Sequence, residues 1–496
     1  MRRRTFLTAT AAAGTLSALA ACSGSNSPVS TPSPSFGVTP SSRPSPTPSG
    51  AYKHSPPNAA AVPSSFASQP RWPNFGTAGS ITALRENYLC GSAGPEAEDE
   101  VRRTFLGHCP VVAELENLTT WAVLPDDDGT WSTSTVRSAD SFTAPETAGS
   151  LSTLPSSRYM LLTGPALLDE TYAYLTIGIL DDTQISADYG LAHTLCRVDL
   201  VKVALSDGAV AASTTLSNNF IADSIEKTRT FALSFSEDRS ALLIAGDNED
   251  QELDPNGIGL RLSATDLSVQ FDATTVLTEP SSYRRQCGEA LAAGRGNNNV
   301  IVYLADGTIE PLADTTDMLV RDGWIYYHDR TDHADHARNL RTGETITISD
   351  TGGYIDYLDD RTENRVQTDQ HEVILGSGKM GSSASFSVRR PGEAEPLLSW
   401  KTEERKIPEA ACVFGNVLYT TGQMDPDGKV QLTSLPSGDD LGEIPDIGKD
   451  SYESFAVQSF AVSAWGLASR KGALCPTGGL QTALFRHNAT AECAFP

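Results

Sequence analysis

The first 71 residues contain no aspartate or glutamate, and the 496-residue chain is short of basic residues everywhere else. It carries 37 Lys and Arg against 62 Asp and Glu, a formal charge of −25. A surface this acidic repels phosphate backbones, which argues against a nucleic-acid partner. No apolar run reaches the roughly 18 residues that hold a helix in a bilayer; residues 8–21 are apolar but Ala- and Thr-rich and too short. There is no Cys-x-x-Cys, so zinc ribbons and thioredoxin-like sites are unsupported. The Gly-x-Ser-x-Gly elbow of serine hydrolases is also missing. Gly376-Ser377-Gly378-Lys379 lacks the spacing of a phosphate loop and has Met380 where Ser or Thr would meet magnesium.

What the chain does have begins at its start. Arg3-Arg4-Thr5-Phe6-Leu7 resembles the twin-arginine export motif, and Leu19-Ala20-Ala21-Cys22 resembles the lipobox of bacterial lipoproteins. The resemblance implies a signal peptide over 1–21, with Arg3, Arg4, Phe6 and Leu7 as the export motif. It also implies lipid on Cys22, an anchor on the outer face of the cytoplasmic membrane, and folding before transport. An ordinary cleaved secretory signal is the competing reading. Residues 22–71 then form a tether whose Ser, Thr and Pro cannot bury enough surface to offset ordering entropy. Extended at about 3 Å per residue, it reaches more than roughly 100 Å. The remaining stretch, 72–496, is expected to hold one large repeat domain.

Of eight cysteines, lipidation of Cys22 leaves seven. Outside the cytoplasm disulfides are expected. The close pairs Cys90–Cys109 and Cys475–Cys493 are the natural bridges, each stabilising by about 3 kcal/mol. Cys196, Cys287 and Cys412 leave one pair and one thiol, and the sequence does not choose among them. A short helix is expected where Pro95 and Glu96 to Glu100 precede Arg102, Arg103 and the stop Gly107.

After Thr119 the pattern is alternating strand, polar turn ending in Gly, second strand. It appears at 201–208, 300–307, 338–344, 385–393 and 430–438. Turn glycines at 307, 343, 392 and 438 lie 36, 49 and 46 residues apart, a period that suits four short strands per propeller blade. Ser234 to Ser240 followed by Leu242-Leu243-Ile244-Ala245 resembles the inner hairpin of WD40- or TolB-type blades. Leu340-Arg341-Thr342-Gly343-Glu344 resembles the outer hairpin of quinoprotein-type propellers, without the Trp that accompanies a quinone site. The expected fold is therefore an all-β propeller with a short N-terminal helix. Blades are placed near 117–150, 155–217, 229–277, 283–313, 315–350, 352–400 and 405–448, which makes seven, and 455–496 either closes the ring or forms an eighth. Two β-sandwiches are the alternative. Trp324, Tyr326, Tyr327, Trp400 and Trp465 are read as blade core.

The densest chemistry lies in His328-Asp329-Arg330-Thr331-Asp332-His333-Ala334-Asp335-His336, with three of the eight histidines. Imidazole and carboxylate together suit zinc, and His328, Asp332, His333, Asp335 and His336 are the candidate ligands. Asp250, Glu252 and Asp254 in the acidic stretch 247–257 are candidate calcium ligands without EF-hand spacing. The functional expectation is a lipid-anchored, monomeric, non-enzymatic binder of a protein or glycan in the envelope, touching the membrane only through its anchor. A zinc-binding or zinc-chaperone role through the 328–336 loop is the first alternative. A hydrolase or lyase acting on envelope polymers is the second.

Overall fold

A computed structural model describes residues 80–93, 109–114, 119–126, 129–137, 159–181, 195–225, 231–246, 257–277, 283–287, 289–295, 298–312, 315–321, 323–348, 373–377, 385–422, 430–444, 460–463, 466–471 and 481–486. The chain divides into a unit over Met1–Ser49 and a unit over Gly50–Pro496, and every described residue belongs to the second. The expected leader, Cys22, the helix near 95–107, the 247–256 loop, Cys475 and Cys493 lie outside the described residues.

The described part is almost wholly β. Its only helical pieces are a turn at Ala222–Ile225 and a 3-10 turn at Ala273–Thr275. Thirty-one strands form eight sheets, each an antiparallel meander of consecutive strands. The first holds β1 (Ser80–Arg85), β2 (Tyr88–Ala93), β3 (Cys109–Glu114), β4 (Thr119–Pro125) and β5 (Trp131–Arg137). The second runs from β6 (Tyr159–Leu168) and β7 (Tyr172–Asp181) to β8 (Leu195–Ala204) and β9 (Val210–Ile221). The third to fifth begin with β10 (Phe231–Phe235), β14 (Tyr283–Cys287) and β18 (Thr315–Arg321). The sixth to eighth begin with β22 (Val373–Ser377), β25 (Pro408–Phe414) and β29 (Phe460–Val462). The first sheet starts at Ser80, well before the expected 117, because 80–114 supply three of its strands.

Neighbouring sheets touch through their first strands, β1 to β6, β6 to β10, β10 to β14, β14 to β18 and β25 to β29, so these strands lie innermost. Apolar seams fill the wedges between sheets. Trp121, Val123, Leu175 and Leu205 join the first and second, and Leu243, Ala273, Leu291 and Val302 join the third and fourth. Tyr326, Ala337, Ile348 and Leu375 join the fifth and sixth, and Ile374, Phe386, Trp400, Val413 and Leu418 join the sixth and seventh. The circuit returns to its start where β30 (Gly466–Lys471) meets β1 and Ser463 donates to the Glu86 carbonyl at 2.7 Å. Contiguous meanders of three to five strands, packed in sequence order and closed on themselves, define a β-propeller.

One hairpin recurs at the turn between third and fourth strands. The N–H of Gly208, Gly307, Gly343 or Gly438 donates back to the carbonyl of residue 204, 303, 339 or 434 at 2.8–2.9 Å. Each glycine has φ between 72° and 77°, the left-handed region that disfavours a Cβ. The next backbone N–H up the turn then docks this hairpin onto the turn between strands one and two. Leu205 donates to Thr171, Leu304 to Glu289, Leu340 to Gly323 and Leu435 to Asn416 at 2.7–3.0 Å. The third sheet makes the same turn, with Leu267 N to Ser263 O and Ala264 N to Ser240 O both at 2.9 Å, yet its left-handed residue is Leu267 at φ 61°. Leu267 is 1% exposed and packs in the seam between the second and third sheets, so burial holds a conformation its backbone disfavours. Lys202, over the Tyr172 ring at 3.9 Å, clamps this turn by donating to Ala264 O at 2.7 Å and Thr265 O at 3.1 Å.

Aromatic side chains of one sheet press on the turn glycine of the next. A Cβ on Gly208 would lie 2.0 Å from Cδ1 of Trp121, and one on Gly392 would lie 2.4 Å from Cζ2 of Trp324. Gly392 N also donates to the Tyr326 hydroxyl at 2.9 Å. Trp324 is therefore a seam residue as well as a strand residue.

The expected Cys90–Cys109 bridge is not formed. Cys90 is a buried free thiol. It stands opposite Val112, whereas Cys109 stands opposite Ala93, three positions along and on the other face of the sheet. Three strand residues span about 10 Å, beyond the roughly 4.4–6.8 Å between Cα atoms that a disulfide needs. Cys196 and Cys412 are likewise buried and in no disulfide.

Candidate functional site

The 328–336 segment is a hairpin between β19 (Trp324–Asp329) and β20 (Ala334–Asn339). Its register pairs Tyr326 with Ala337, Tyr327 with His336, and His328 with Asp335. Side chains alternate along a strand, so this register sends the histidines to different faces. His328 and Asp335 join the Tyr326 face toward the sixth sheet. His336 joins the Tyr327 face toward the fourth, and its ring lies 5.6 Å from that of Tyr327.

The structure therefore divides the five candidate ligands. His328 Nδ1 meets Asp335 Oδ1 at 2.7 Å, with side chains 11% and 1% exposed. Burial pushes the Asp335 carboxyl above its ordinary value, while His328, His336 and Arg389 pull it partly back. Arg389, wholly buried in β23 (Ser385–Arg389), donates through Nη1 to the Ala394 carbonyl. This His–Asp–Arg group lies on the face of the fifth sheet that meets the sixth.

On the other face His336 Nε2 meets Asp332 Oδ2 at 2.9 Å, and this contact holds the Asp332 carboxyl below its ordinary value. Asp329, which the sequence reading did not select, completes the group: ligand atoms of Asp329, Asp332 and His336 lie within 4.8 Å of one another. The Asp329 carboxylate accepts from Thr331 N at 2.7 Å and the Asp332 carboxylate from Ala334 N at 3.0 Å, which orients both. Two carboxylates and an imidazole suit zinc or manganese better than calcium, which takes oxygen ligands. A carboxylate only accepts, so Nε2 of His336 donates to Asp332, while Nδ1 is buried without a hydrogen-bond partner. A metal at Nε2 would move that proton to Nδ1, where no described acceptor receives it.

His333 enters neither group. It is exposed at the hairpin tip with φ 58°, in the position that glycine takes in the turns described above. Asp332-His333-Ala334 thus repeats the turn of Asp207-Gly208-Ala209, in which Ala209 N donates to Asp207 at 3.0 Å. The repeat was visible in the sequence only through the Asp that precedes each left-handed residue. Arg389 carried no local signal, since it comes from the sixth sheet, whereas Asp329 stood within the 328–336 run and was passed over.

No family model matches the chain, and no curated protein matches it either. Among solved structures it is similar to the WD40 repeats of RRP9, at 11% identity over 59% of this chain and 91% of that one, TM-score 0.34. It is similar to BamB from Moraxella catarrhalis at 12% identity over 82% and 93%, TM-score 0.35. It is also similar to apo AztD from Citrobacter koseri at 9% identity over 74% and 85%, TM-score 0.32. At these scores the likeness is too loose to transfer a role, and the propeller class stands on the sheets and seams themselves.

Proposed function

We propose that the chain is a lipid-anchored propeller of eight blades, one per sheet, that binds a protein or glycan partner on the outer face of the cytoplasmic membrane without transforming it. The observation that carries this reading is the inequality of the two ends of the sheets. At one end the turns are short, docked on one another and laced by ion pairs. These include Arg85–Glu170 at 2.6 Å, Arg261–Glu289 at 2.7 Å and Arg341–Glu237 at 2.9 Å. At the opposite end of each sheet, second and third strands are joined by connections as long as 94–108, 182–194 and 247–257. Connections at that end can vary without disturbing the sheets, which is the arrangement recognition requires. Arg3-Arg4 and Cys22 supply the proposed address, and 22–71 the reach from the membrane.

Photo-crosslinking from residue 190 or 250 in intact cells should trap a defined partner, and crosslinking from the exposed Ser206 at the turn end should not. Equal trapping from both ends would remove the reading.

A second reading is favoured by the convergence of Asp329, Asp332 and His336: this hairpin holds a divalent metal. Zinc titration followed by calorimetry should then show one site, lost in His336→Asn and retained in His328→Asn and His333→Ala. Zinc uptake unchanged by His336→Asn would dismiss it.

A further inference from the structure

Three cysteines lie in three separate sheets: Cys90 in β2, Cys196 in β8 and Cys412 in β25, none in a disulfide and each at most 3% exposed. None of them faces another. Cys90 is opposite Val112, Cys196 opposite Phe220 and Cys412 opposite Tyr419. Each is built into packing. Cys90 sits in the seam of the first and second sheets and Cys196 in that of the second and third. The sulfur of Cys196 is so close to Gly178 that a Cβ there would be 3.5 Å away. Cys412 Sγ donates to Val413 O at 3.9 Å. Burial pushes the Cys196 thiol up to about 12 and that of Cys90 higher still, so the folded chain offers almost no thiolate at these positions.

The unfolded chain is different. There every thiol titrates near its ordinary value and is open to attack on a disulfide. In an oxidising envelope, one cysteine thiolate attacks a disulfide donor RSSR and expels RSH. A second cysteine then displaces the other RSH, so that two thiols and one RSSR give one chain disulfide and two RSH. Any such bond at Cys90, Cys196 or Cys412 would have to be broken before its strand could enter the ring.

We propose that this propeller is completed with these three thiols reduced, before the chain meets a disulfide-donating oxidant, and that the closed sheets thereafter seal them. The inference rests on the export reading above, and it gives folding before transport a chemical reason within the fold.

The test uses the full chain expressed in a host with an oxidising envelope. With its own leader, Cys90, Cys196 and Cys412 should be recovered free. They should react with N-ethylmaleimide at least about 100-fold more slowly natively than in denaturant. With residues 1–21 replaced by a leader that threads unfolded chains, peptide mapping should find at least one of the three in a disulfide. Folded yield should drop about fivefold or more, with recovery on Ala substitution at 90, 196 and 412. Should the triple variant fail to fold in the cytoplasm, the wild-type disulfide map decides. Full folded yield with all three thiols free behind the threading leader would overturn the proposal, as would a native disulfide at any of them. Export unchanged by Arg3→Lys with Arg4→Lys would instead defeat the twin-arginine reading and leave the thiol measurements standing.

Discussion

Leu267 and His333 hold the same left-handed backbone at opposite ends of their sheets, with φ 61° and 58°. Leu267 sits in a turn between third and fourth strands, 1% exposed, where its side chain completes a seam. His333 sits in a turn between second and third strands, exposed and packed on nothing in the seams. A non-glycine residue in this region costs about 1–2 kcal/mol at either place. At Leu267 that cost is offset by buried surface, whereas Glu86, at φ 48° in a turn between first and second strands, is exposed. At His333 no buried surface offsets it, and the turn is held instead by the Asp332 carboxylate accepting from Ala334 N at 3.0 Å.

The largest effect expected at the turn end is from Gly208→Val. It forces a Cβ onto Trp121 and a branched side chain into φ 77°, and should cost roughly 3–5 kcal/mol in guanidinium unfolding. A loss under about 1 kcal/mol would show that the aromatic-on-glycine contact is not rigid. At the inner side of the loop-end hairpin, Asp335→Ala leaves His328 and Arg389 buried beside a lost carboxylate and should cost roughly 3 kcal/mol.

The same carboxylate sets a pH dependence. Its folded pKa is raised above the ordinary 3.8, so the folded state holds this proton more tightly than the unfolded chain does. That contribution is fully present below 3.8 and is lost as pH rises through the raised value. Asp335→Asn should remove this downward slope from the stability profile, and parallel profiles for the two proteins would contradict the assignment.

Smaller effects separate the two left-handed residues. Leu267→Ala keeps the strain and loses the packing, a loss of about 2–3 kcal/mol. Leu267→Gly loses the packing and sheds the strain, so it should be the more stable of the two by about 1 kcal/mol, the reverse of the order in a regular strand. His333→Gly should gain up to about 1 kcal/mol. If His333→Gly instead destabilises, the imidazole has a structural contact and the contrast between the ends fails.

The β class and most of the turns were legible because their causes lie within four or five residues. Asp207-Gly208, Asp306-Gly307 and Thr342-Gly343 each announce a hairpin through a short polar side chain and a glycine. The third sheet's copy was missed because Leu267 replaces the glycine, and only Lys202 and the seam of the second sheet make that possible. The first sheet was read too late because Ser80 to Glu114 contain no such glycine turn. The bridge between Cys90 and Cys109 was inferred from closeness in sequence, and strand register separates them.

Residue order along the chain was enough to specify local hairpins and the candidate chemistry of 328–336, since those depend on neighbours in the polymer. Which side chains meet was left to the packed sheets. A one-residue alternation sent His328 to one seam and His336 to another, Arg389 arrived beside Asp335 from more than fifty positions away, and Ser463 closed the circuit on Glu86. Strand alternation and seam packing act between segments distant in sequence, so those pairings exist only once the ring is assembled.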